Sequence, residues 1–149
     1  MQSWSSQSAR VRDLRKELKE LEREEPGEKR AERLADFARR AHEERALNKA
    51  MHVAQLCLEE DPRAPTLLVA AYTREEAAED LLRALSELAN LGRWLGRDDL
   101  VEIARGRART LAPDWLDESA GGERRRRLRA LASMFGDEFA EHLQGDVPR

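Results

Sequence analysis

The chain has 149 residues, enough for one hydrophobic core of ordinary size but not for two independent ones. Aromatic residues make up 5% and charged residues 38%, so the core must be built mainly from Leu and Ala with Trp and Phe as anchors, a composition that favours helices. The net charge of -3 comes from 27 basic and 30 acidic side chains interleaved along most of the chain, which argues against a nucleic-acid footprint, and the single cysteine, Cys57, excludes an internal disulfide.

Residues 1–8 are mostly Ser and Gln around Trp4 and are expected to form a flexible tail. From Ala9 to Glu25, Val11, Leu14, Leu18 and Leu21 fall three and four apart, which predicts a charged helix with one narrow apolar stripe. Pro26 and Gly27 end it. A helix over Glu28–Arg45 follows, with Leu34, Phe37, Ala38 and Ala41 inward, then another from Leu47 to Glu60 with Ala50, Val53, Ala54 and Cys57 inward. Neither Gly nor Pro separates these two, so the break rests on a shift of apolar phase, and one long helix is the alternative.

The run "TLLVAAY", residues 66–72, is the most strand-like in the chain, but without a pairing partner it is expected to be a short buried helix or an apolar linker. Thr73-x-x-Glu76 reads as a capping box that opens a long helix with Ala78, Leu82, Leu85, Ala89 and Gly92 on its stripe. Asp98 is the expected N-cap of a helix through Leu111, which Pro113 should close. After the loop "DESAGGE", one last helix is expected from Arg124 to Leu143, and residues 144–149 as a second flexible tail. Residues 9–143 are read as a single all-α domain.

A shift of 51 residues places Leu34 on Leu85, Phe37 on Leu88, Ala38 on Ala89, Ala41 on Gly92, Ala50 on Val101, Cys57 on Ala108 and Pro62 on Pro113. Large falls on large and small on small, as expected of two helical hairpins of one type. This pattern resembles the tetratricopeptide repeat, over roughly residues 31–64 and 82–115. It departs from that repeat in spacing, 51 residues against the family's 34, and in Arg105, which stands where the first copy has Ala54. The resemblance implies a short right-handed array of stacked hairpins, flanked here by an N-terminal amphipathic helix and a C-terminal capping helix.

It also implies a concave face lined by the first helix of each hairpin. Carried over by position, Glu32, Asp36, Arg39 and His42 from the first unit and Arg83, Ser86, Asn90, Arg93 and Trp94 from the second become candidate partner contacts, with Arg, Asn and Trp suited to gripping a peptide or helix. "RRRRLR", residues 124–129, offers Arg124, Arg125, Arg126 and Arg127 as an alternative polyanion site, although Arg at a helix N-terminus opposes the dipole and hints at an acidic partner in the same molecule or another. A short coiled-coil homodimer through Val11, Leu14, Leu18 and Leu21 is the runner-up to packing that stripe within the chain.

Catalytic patterns are weak. "AHEER" at 41–45 begins like a zinc-protease helix, but Ala46 stands where the second histidine belongs. Cys57 sits in a small-residue slot and is expected to be inert. No window approaches the ~18 apolar residues of a membrane span. The expectation is therefore a cytoplasmic, non-catalytic, cofactor-free scaffold such as an adaptor, chaperone or assembly factor, with a helical nucleic-acid-associated regulator as the alternative.

Overall fold

The structure, a computed structural model, describes residues 2–145, with side chains placed for residue 10 and residues 12–144. Residues 146–149, where most of the expected C-terminal tail falls, lie outside the described residues. Those described form eight helices and no strand: α1 (Gln2–Arg23), α2 (Glu28–Glu43), α3 (Leu47–Glu60), α4 (Ala64–Tyr72), α5 (Ala78–Trp94), α6 (Asp98–Asp117), α7 (Gly122–Phe135) and α8 (Asp137–Gly145). The chain is all-α, and among the described residues no helix is long and apolar enough to cross a membrane. Helix α1 starts at Gln2 rather than Ala9, so it takes in residues 2–8. The helices group into two compact units, one running to Tyr72 and including Trp94–Gly96, the other comprising Thr73–Arg93 and the residues from Arg97 onward.

In the first unit, α1 and α2 run antiparallel. Stepping back from Glu24, just past the end of α1, to Glu17 and Arg10 within it, the partner on α2 or just beyond it steps forward from Arg33 to Arg40 to Glu44. Leu14 and Leu21 are buried beside this ladder and Leu18 is half-buried; the side chain of Val11 is not among those described. Helices α2 and α3 form the expected hairpin, with Cys57 Sγ donating to the Ala31 carbonyl at 3.4 Å and Arg30 Nη2 3.1 Å from Glu60 Oε1. The strand-like run is helix α4: Leu68, Val69, Ala71 and Tyr72 are buried, so packing overrides their β propensity. Pro65 stands in its first turn, where a missing N–H costs nothing.

In the second unit α5 and the start of α6 approach closely at Gly92. A Cβ added at Gly92 would lie 3.0 Å from Leu100 Cβ and 3.0 Å from Val101 Cγ2. The helix begins at Ala78, so the Thr73–Glu76 capping box falls in the α4–α5 loop and opens no helix. Asp98 is the first residue of α6 rather than its cap, and Asp99 Oδ1 accepts the Leu100 amide at 3.0 Å. Pro113 does not stop α6, which continues to Asp117 because Trp115 and Leu116 gain burial that outweighs the lost backbone bond. The expected last helix is two, broken at Gly136, whose φ of 101° only glycine adopts without strain, and Phe135 and Phe139 stack across the break at 4.8 Å.

The turns of the two hairpins coincide. Ala46 N donates to Ala41 O at 2.8 Å, and Arg97 N donates to Gly92 O at 2.8 Å, each bond spanning a left-handed residue, Arg45 at φ 64° and Gly96 at φ 66°. This is the Schellman ending, which uses up the last carbonyls of the first helix and sets the entry of the second. Helices α3 and α6 then start at matching positions, Leu47 and Asp98. The duplication seen in the side-chain pattern is thus also a duplication of backbone geometry.

Candidate partner-binding surface

Trp94 is one of two large apolar side chains left open among the described residues, at 45% exposure. Its ring is nonetheless fixed from below. The His42 imidazole stacks under it with centroids 5.9 Å apart and planes 25° from parallel. His42 is only 4% exposed, and its Nδ1 lies 2.9 Å from the Tyr72 hydroxyl, with the Tyr72 ring edge-on to it at 5.5 Å. Tyr72, fully buried, closes α4 onto α2, and Arg39 Nη1 secures the same end by donating to the Ala71 carbonyl at 2.7 Å. Burial, then the neighbouring Arg45 charge, hold the His42 pKa below its ordinary value, so the ring is neutral at pH 7. A neutral imidazole can present its face to the indole and accept the tyrosine proton at Nδ1.

The expected contact residues therefore divide. Trp94 is available to a partner. His42 and Arg39 support it from inside, His42 by stacking and Arg39 through Ala71 and through Glu43, 2.7 Å from its Nε. Glu32 is exposed and Asp36 half-buried. In the second unit Ser86 is buried and donates to the Met134 carbonyl at 3.0 Å, so it faces α7. Arg83 is exposed and pairs along its own helix with Glu79 and Asp80. Arg93 is exposed and donates to Asn90 Oδ1.

The arginine run also divides. Arg124 Nη1 donates to the Leu116 carbonyl at 3.2 Å and stands 3.6 Å from Asp117. Arg127 donates to the Trp115 carbonyl and lies over the Trp115 ring at 4.9 Å. These two satisfy the carbonyl end of α6, where a cation is electrostatically favoured, which explains arginines at the start of α7. Arg125 and Arg126 are exposed, with Arg126 paired to Glu123.

Tyr72 is the supporting residue that sequence reasoning missed. It is the sole tyrosine, but it lies 30 positions from His42 and the intervening sequence carries no signal that the two meet. Cys57 is buried, and burial pushes its thiol up to about 12, far from a reactive thiolate. Among the described residues no group of three or more His, Cys, Asp or Glu is placed to hold a metal ion.

No protein-family model matches the chain, and no curated protein or solved structure is significantly similar to it.

Proposed function

We propose that this chain is a non-catalytic binding protein, built from two tetratricopeptide-like hairpins with α1 and the C-terminal helices as caps, and that it holds a peptide or helix of a partner protein against Trp94. The observation that carries this reading is an indole nearly half open to solvent and stacked on a buried, hydrogen-bonded imidazole. An exposed aromatic ring already stacked on a buried one has less side-chain freedom to lose when a partner covers it, and exposed aromatic rings are enriched among the residues that dominate binding energy at protein interfaces. The duplicated Schellman turns support the repeat architecture.

The test is site-specific photo-crosslinking. A benzophenone-bearing phenylalanine is placed at position 94 or, as control, at exposed position 125, and each protein is irradiated in native lysate. One protein species should be captured from position 94 and not from 125. Equal patterns at both positions would reject Trp94 as the contact.

A further inference from the structure

The second unit contains a cavity of about 330 Å³ between α6 and α8. Arg105, Arg109 and Pro113 line it from α6, and Glu138, Phe139, His142 and Leu143 from α8. Phe139 and Leu143 are buried in its floor, while Pro113, which has no amide proton to offer, is exposed at its rim together with Arg109, Glu138 and His142, so the lining mixes apolar and charged groups. Its volume falls at the small end of the range of ligand pockets.

Arg105 and Arg109 stand four residues apart on one helix, hence on one face and a single turn apart. Arg105 is already oriented: Nη1 donates to the Phe135 carbonyl at 2.8 Å, and its guanidinium carbon lies 5.7 Å from the centre of the Phe139 ring. The side chains of Arg109, Glu138 and His142 make no hydrogen bond or ion pair to another described residue. Two like charges at this spacing repel. With one carboxylate at the rim against two guanidiniums, the cavity lining carries net positive charge. Guanidinium forks match a carboxylate in shape and charge, while the apolar floor disfavours a small, strongly hydrated anion that would leave it wet.

We infer that this pocket binds a carboxylate carried on a short apolar or aromatic body, with Arg105 and Arg109 taking the carboxylate and Phe139, Leu143 and Pro113 taking the body. The chemistry is shared by a free organic acid and by the last residue of a peptide chain. The inference rests on α6, the end of α7 and α8 and is independent of the Trp94 surface.

Isotope-labelled full-length protein is titrated with 4-phenylbutanoate, with the neutral isostere 4-phenylbutan-1-ol, and with a short phenylalanine-terminated peptide as free acid or amide, following amide and arginine side-chain shifts. The acid should give saturable shifts in α6 and α8, and the alcohol should bind about tenfold more weakly or worse. Arg109→Gln, at an exposed position without a partner among the described residues, should weaken the acid about tenfold and leave the alcohol unchanged. Tighter binding of the peptide acid than of phenylbutanoate would identify a chain terminus as the ligand source, and the reverse a free acid. Equal affinity for acid and alcohol, no effect of Arg109→Gln, or no saturable shift would each overturn the assignment.

Discussion

The imidazole of His42 lies under the indole of Trp94, 25° from parallel, so that a buried titratable group supports an exposed ring. Its pKa is lowered chiefly by burial and secondarily by Arg45. The folded protein therefore binds fewer protons than the unfolded chain as pH falls through the ordinary histidine value of about 6.5 toward the lower folded value, and stability drops across that window. Above it, His42 contributes no pH dependence. Denaturant unfolding should show wild type losing stability between pH 7 and pH 5, and His42→Gln, weaker at pH 7, losing distinctly less over that interval. Equal losses would show that His42 does not carry the acid sensitivity.

Gly92 and Val101 occupy the positions held by Ala41 and Ala50 in the first hairpin, so the larger side chain in one helix of the copy is matched by the smaller in the other. A Cβ at position 92 would meet Leu100 and Val101 at 3.0 Å and the Arg97 carbonyl at 3.1 Å. Gly92→Ala gains about 1 kcal/mol in helix propensity but suffers overpacking of about 1–3 kcal/mol, a net destabilisation of about 1 kcal/mol. Adding Val101→Ala removes one of the three close contacts, so the double variant should lose less than the sum of the singles. Strict additivity would mean that the two positions are not coupled.

Arg30 and Glu60 form a buried pair at the open end of the α2–α3 hairpin, with Arg30 Nη1 also donating to the Glu24 carbonyl at 2.6 Å. Arg30 Nε and Glu60 Oε2 are buried without a hydrogen bond among the described residues, so the pair is incompletely compensated. Arg30→Met or Glu60→Leu alone should cost about 3 kcal/mol by stranding a charge, whereas the double change should cost far less. Equilibrium unfolding of the four proteins measures this. A double variant as weak as the two losses combined would contradict the pairing.

The residues show how far pattern reading reaches. Leu34, Phe37 and Leu88 repeat with the helical period, and each is buried. The change of apolar phase near Arg45 located a turn made without glycine, and Ala41 over Gly92 located its copy. What periodicity lacks is the identity of the neighbour. His42 and Ser86 lie off the main stripe, yet Tyr72 and Trp94 cover the one and α7 the other, from 30 to 52 residues away in sequence. Pro113 and Thr73-x-x-Glu76 misled for a related reason. A local signal for stopping or starting a helix is worth a few kcal/mol at most, and burying Trp115, Leu116 and Tyr72 competes with it. Gly136 broke the last helix where an unbroken apolar pattern ran through it.

The most direct measurement is quantitative affinity capture from native lysate with wild type, Trp94→Ala and Arg125→Ser/Arg126→Ser, each shown by circular dichroism to keep its helix content. The arginine pair spares Arg124 and Arg127, which hold the end of α6. Binding through Trp94 predicts one protein retained by wild type and by the arginine variant and reduced about tenfold or more by Trp94→Ala, as expected when a central aromatic contact is lost. Capture undiminished by Trp94→Ala, with nuclease-sensitive material lost from the arginine variant, would contradict it.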